Sequence, residues 1–153
     1  MGNKIKNIIT GKEIQKPDPI DEEILFDGGV MITETDTAGI ITYANRKFRE
    51  MTGYSKEETV GSPHSINRHP DMPKVAFAGM WEVIKKGNYW EGLVKNMAKS
   101  GKYYLVLVYI KPKFDKNQKI VGYIAGRKIP DKDNMNDALA NYKKLLAQEK
   151  QEK

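Results

Sequence analysis

Asp36-Thr37-Ala38-Gly39-Ile40-Ile41-Thr42-Tyr43-Ala44-Asn45-Arg46-Lys47-Phe48-Arg49-Glu50-Met51-Thr52-Gly53 is the stretch in which the chain changes its period. Asp36 and Gly39 bracket a turn, because Asp bonds its own backbone two residues on and Gly accepts a positive φ. Ile40–Tyr43 is extended. Asn45 then caps a helix whose apolar face is Phe48, Met51 and Thr52, and Gly53 stops it. Upstream, Val30–Thr35 reads as a strand, so residues 30–43 are an opening hairpin. Gly28-Gly29 precedes it. Further out, Asp21–Phe26 reads as a short helix with acids in its first turn, after a polar segment broken by Pro17 and Pro19.

Downstream, Ser55-Lys-Glu-Glu58 is a capping box opening a very short helix closed by Gly61. Residues 62–71 are irregular and carry both histidines. Asp71 is placed to cap a longer helix over residues 72–86, with Phe77, Met80, Trp81 and Ile84 on one stripe. Three strands follow, at 89–98, 103–111 and 120–128, the first two joined at Ser100-Gly101. Pro130 ends the run. A last helix spans 131–153, with Met135, Leu139, Tyr142 and Leu146 forming a seam too short for a coiled coil. Two strands, several short helices and three strands make an α+β domain with a five-stranded antiparallel sheet and helices on one face. A ligand would lie between the two layers.

Composition narrows the chemistry. None of the 153 residues is cysteine, which removes disulfides, thiolate metal sites and cysteine nucleophiles. No apolar run reaches the roughly 18 residues of a membrane helix, and no secretory signal opens the chain. Lys6 fails the requirement of a myristoylation signal. The formal charge of +6 is concentrated in residues 26–130, with 17 basic against 10 acidic residues. These are scattered rather than clustered, so nucleic acid is not an expected partner and an anionic small ligand is compatible.

Strand 89–98 carries the clearest binding signal. Alternation sets Trp90, Gly92, Val94, Asn96 and Ala98 on one face. The indole supplies a flat wall, the small residues leave room, and Asn96 is a lone amide in an apolar row. That amide either satisfies backbone groups or bonds the edge of a flat heteroaromatic ligand. Trp81 and Phe77 either pack the core or form the opposing wall. Arg68 and His69 suit phosphate or carboxylate contacts. His64, His69 and Asp71 have no metal-site spacing, and no nucleophile, base or metal cluster converges, so neither a metal centre nor an enzyme is expected.

The pattern Asp36…Gly39-Ile-Ile-Thr-Tyr-Ala-Asn45…Phe48…Gly53-Tyr54…Gly61 resembles the first half of a PAS domain. Arg68-His69-Pro70-Asp71-Met72-Pro73-Lys74, followed by Ala76-Phe77-Ala78, Met80-Trp81, Lys85-Lys86-Gly87, Trp90 and Val94-Lys95-Asn96, resembles the FAD-binding PAS domains of the Aer/CetB type, the redox sensors of bacterial aerotaxis and energy taxis. The resemblance divides the chain into an N-terminal extension or cap (1–27), a PAS sensor domain (28–130) and a C-terminal amphipathic helix (131–153). It implies a non-covalent FAD whose redox state reports on electron transport. It also implies that Asn45, Arg68, His69, Asp71, Phe77, Trp81, Trp90 and Asn96 serve FAD binding or signalling. The protein is expected in the cytoplasm, as a homodimer or beside a membrane-bound chemotaxis transducer, because nothing like an anchor or signalling coiled coil follows Lys153. Photosensing relatives of this fold need a thiol for their flavin adduct, and this chain has none. A haem-binding gas sensor using His64 or His69, and a cofactor-free interaction module, stand as alternatives.

Overall fold

The computed structural model describes residues 4–26, 28–130 and 132–151. Strands β1 (Lys4–Lys6) and β2 (Glu13–Gln15) form a small hairpin apart from the main sheet. The main sheet is built from β3 (Met31–Thr35), β4 (Ile41–Ala44), β5 (Trp90–Met97), β6 (Tyr103–Phe114) and β7 (Ile120–Lys128). Its order is β4-β3-β7-β6-β5, every neighbouring pair antiparallel. The α+β architecture read from the sequence is therefore the observed one. Helices α1 (Arg46–Thr52), α2 (Lys56–Thr59) and α3 (Lys74–Lys85), with a 3-10 turn at His64–Asn67, connect β4 to β5. Helix α4 (Lys132–Gln151) follows β7.

The local signals explain these boundaries. Asn45 accepts the N–H of Phe48 at 3.0 Å, and Gly53 closes α1 at φ 78°, a left-handed conformation that glycine adopts without penalty. Ser55 and Glu58 form the reciprocal capping box of α2. Phe48, Ile41, Met31, Ile84 and Val106 are fully buried between helices and sheet, where removal of their apolar surface from water holds the layers together.

Two expectations fail for identifiable reasons. Residues 21–26 are not a helix. The Ile24 N–H donates to Tyr103 O at 2.7 Å and the Tyr103 N–H to Glu22 O at 3.0 Å, so the segment runs extended beside the start of β6. A six-residue helix is marginal alone, and a backbone ladder supplies the same bonds with tertiary support. Asp71 does not cap α3, which begins after Pro73. Its carboxylate instead meets Lys95 Nζ at 3.0 Å. The N–H groups of Lys74 and Val75 donate to the Glu149 carboxylate, at 3.0 and 2.8 Å, from the last turns of α4. A carboxylate at a helix N-terminus satisfies orphan donors and complements the dipole.

The N-terminal segment, read as a polar extension or cap, is woven into the domain. Asn7 is fully buried and its side-chain amide donates to Glu57 O and Val60 O at 3.0 and 2.9 Å. Gly61, at φ 98°, passes so close to Asn7 that a Cβ there would overlap its side-chain oxygen. Gly101 does the same for the strap above it, where a Cβ would stand 2.5 Å from Asp18 O.

Candidate functional site: a cavity between α3 and the sheet

A cavity of about 280 Å³ lies between the inner face of the sheet and α3. Helix α3 contributes Phe77, Met80, Trp81 and Ile84, β5 contributes Val94 and Asn96, and β6 contributes Val108 and Ile110. Strand β7 adds Tyr123, Ala125 and Arg127, and β3 adds Thr33 and Thr35. The loop before α3 closes the remaining side with Pro63, His64, Asn67 and Arg68. The walls are mostly apolar, with a few convergent polar groups, as in sites for flat organic ligands.

Of the eight residues singled out from the sequence, Arg68, Phe77, Trp81 and Asn96 reach this cavity. The Arg68 guanidinium stacks over the Phe77 ring at 4.6 Å. Trp81 packs edge-on against Tyr123, with centroids 5.4 Å apart. Asn96 is buried, and its backbone bridges to Arg68, tying the loop to β5. The fully buried Tyr104 hydroxyl meets the side chains of Asn67, at 3.2 Å, and Asn96. Burial pushes that hydroxyl up to about 12, so it stays protonated.

The other four lie outside the cavity wall. Asn45 is spent on structure: besides capping α1, it accepts the Ile32 N–H at 3.0 Å and donates to Val30 O at 2.9 Å. Trp90 shares the inner face with Val94 and Asn96, but its indole folds over Gly92, where a Cβ would stand 2.6 Å from the ring. His69 is buried against Tyr103, with Nδ1 accepting the Asp71 N–H at 3.0 Å. Burial and the Lys95 charge hold His69 below the ordinary histidine range. Lys95 lies 4.5 Å over the Tyr103 ring and pairs with Asp71. His69 and Asp71 thus fasten the Arg68 loop to the sheet. Lys16 fastens it from the N-terminal side, donating to Ser65 O and Arg68 O at 2.9 Å each.

The sequence reading missed the polar floor of the cavity. Arg127 is 2% exposed. Its Nη2 donates to Thr33 Oγ1 at 3.0 Å and to His64 Nε2 at 2.6 Å. A guanidinium only donates, so Nε2 accepts and the imidazole carries its proton on Nδ1. Burial, aided by the Arg127 charge, pushes His64 down to about 3, and the ring is neutral. Burial lowers Arg127 to about 10, which leaves it charged at neutral pH. Its Nη1 has no acceptor, and among the described residues no Asp or Glu lines the cavity. The available signal was alternation along β7. Tyr123, Ala125 and Arg127 share the inward face of an interior strand, where an arginine is out of place without a partner.

This donor set fits a flat, partly polar, anionic ligand such as a flavin. The fit rests on an unfilled buried guanidinium donor, two buried amides and facing aromatic walls. His64 fits an axial haem ligand poorly, because its accepting nitrogen is already engaged by a cation.

Residues 41–125 match the family of the PAS fold. The chain is 44% identical over 103 residues to the aerotaxis receptor of Escherichia coli (strain K12), covering 67% of this chain and 20% of that protein. It is 26% identical over 147 residues to the nitrogen fixation regulatory protein of Klebsiella pneumoniae, covering 95% of this chain and 30% of that protein. The chain thus spans a fifth to a third of the length of these curated relatives. Among solved structures, the light state of the blue-light photoreceptor Aureochrome1 LOV aligns with a TM-score of 0.62 over 79% of this chain and 91% of that one. At 24% identity this likeness bears on the fold. No described helix is long and apolar enough to cross a membrane.

Proposed function

This chain belongs to the PAS family, and from that premise we propose that it is a redox-sensing module of bacterial aerotaxis or energy taxis that holds FAD in the cavity beneath α3. The observation that carries the reading is the buried Arg127 donor without an acceptor at the floor of a cavity walled by Trp81, Tyr123 and Phe77. Similarity to an aerotaxis receptor supplies the sensory context. When bound, the flavin supplies reversible electron uptake. The chain's own residues do the rest. Trp81 and Phe77 bound the flat ring, Asn96 and Asn67 offer amides that donate and accept, and Arg68 meets the anionic phosphates. His69, Asp71 and Lys16 hold the Arg68 loop in place. Asn45 and Trp90 act one step further out, by fixing α1 and filling the inner face of β5.

In this reading residues 28–130 are the sensor, residues 1–27 brace it, and residues 131–153 carry the change outward. The partner is a second copy or a membrane-bound chemotaxis transducer, and the module works in the cytoplasm without catalysing a reaction. A signal requires different interactions with the two redox states, and the amide of Asn96, beside the Tyr104 hydroxyl, is the element able to reorganise. The test is the visible spectrum of the purified chain before and after dithionite, with the released cofactor identified by mass. A flavin band that bleaches and FAD in the extract are expected. A Soret band, or a colourless protein that takes up no added flavin, overturns the reading.

A further inference from the structure

The inner end of the cavity holds a positive charge that no carboxylate among the described lining residues balances. Arg127 spends its Nη2 on Thr33 and neutral His64, and its Nη1 lacks an acceptor. The charge sits over the ring of fully buried Phe48, 5.4 Å from its centroid. A desolvated charge without an opposite partner opposes folding, and so persists where an anion completes it. Resting on the flavin reading, we infer that Arg127 is the counter-charge for an anionic ring edge: its Nη1–H donates to the ring atom that bears the negative charge after reduction. Its corollary is that the same side chain destabilises the ligand-free domain.

Depth assigns the ring to Arg127. Arg68, only half-buried and stacked on Phe77, is placed for the cofactor's phosphates, whereas Arg127 lies within the core. The charge balances: two electrons from a reductant such as dithionite and one proton from water convert the neutral oxidised isoalloxazine into a reduced ring with one negative charge. A fixed positive charge at hydrogen-bond distance stabilises that form over the neutral oxidised ring and raises the midpoint potential.

The test uses the full chain as wild type, Arg127→Met and Arg127→Lys. Without flavin, Arg127→Met is expected to melt at a higher temperature than wild type, and formate, a probe carboxylate, to raise the melting temperature of wild type alone. With FAD, Arg127→Met is expected to lose roughly tenfold of the preference for the reduced ring. That loss is a fall of about 30 mV for a two-electron couple, with Arg127→Lys between. Wild-type potential and wild-type formate response in Arg127→Met overturn the inference. So does failure of Arg127→Met to fold, which would make the guanidinium a structural strut. Weakened FAD binding with unchanged riboflavin binding and potential also overturns it, by assigning Arg127 to the diphosphate. A wild-type chain that takes up no flavin, yet responds to formate through Arg127, removes the flavin reading and keeps the counter-charge. Flavin uptake with a midpoint potential indifferent to Arg127 does the reverse.

Discussion

The Tyr142 hydroxyl, on α4, donates to the backbone carbonyl of Leu93, on the edge strand β5, at 2.7 Å. With the Glu149 carboxylate on the first N–H groups of α3, this pins the terminal helix to both walls of the cavity, strand and helix. Tyr142→Phe keeps the ring and removes the bond, and is expected to cost about 1 kcal/mol. Denaturant midpoints measure the cost, and amide exchange over residues 132–151 is expected to quicken first. Glu149→Gln is expected to quicken exchange at Lys74 and Val75, where its lost charge is felt.

Asn45 and Asn96 are separable by experiment. Asn45→Ala removes the cap of α1 and the bonds to Ile32 of β3 and to Val30 just before it, and is expected to cost about 1–2 kcal/mol of stability while leaving ligand affinity of the folded protein unchanged. Asn96→Ala is expected to weaken ligand binding at least tenfold, because its amide faces the cavity. Paired melting and flavin-titration curves for the two variants decide the point. An equal affinity loss in both would place Asn45 in the binding set after all.

The histidines set the acid side of the stability profile. His64 is held at about 3 by burial and Arg127, against an ordinary 6.5, and His69 is lowered for similar reasons. His64 is neutral when folded, and the unfolded chain takes up its proton as pH falls through 6.5. Its contribution is therefore complete above pH 6.5 and is lost on descending from there toward pH 3, and the lowered His69 loses stability in the same direction. The expected slope between pH 6 and 4 is on the order of 1 kcal/mol per pH unit for His64. His64→Gln is expected to flatten it. The lowered carboxyls of Asp71 and Glu58 add their losses only at lower pH.

Asn7 ties the N-terminal hairpin to the α2 region. Asn7→Ala leaves the part-buried carbonyls of Val60 and Glu57 without this donor, and the N–H groups of Ile9 and Thr10 without their acceptor. The expected cost is about 2–3 kcal/mol, read by chemical denaturation. Gly61→Ala is expected to be at least as damaging, because it combines a left-handed φ with overlap on Asn7. A hairpin that detaches without lowering global stability would contradict both expectations.

The legible parts of this molecule are those decided locally. The hairpin turn at Asp36–Gly39, the Asn45 cap, the Ser55–Glu58 box and the face of β5 bearing Val94 and Asn96 depend on neighbours a few residues away. The rest is decided at long range. The path of residues 21–26 depends on Tyr103, some eighty positions later, and the cap of α3 comes from Glu149 rather than Asp71. Arg127 was invisible as a site residue because its partners, Thr33 and His64, lie on other elements. His69, Asp71 and Asn45 were legible as important, and the structure turns that importance from lining the cavity into holding its frame.

The threading of the N-terminal segment across Gly61 and Gly101 bears on how the chain comes off the ribosome. Asn7 finds its acceptors at Glu57 and Val60, and the strap before Asp21 passes against Gly101. The segment around Asn7 thus stays without these partners until residues 57–60 have been made, and the strap without this contact until Gly101 has been made. Contacts so distant in sequence slow folding. A nascent chain stalled before Gly101 is expected to leave the strap at Asp18–Ile20 open to proteases, and one released after β7 to protect it.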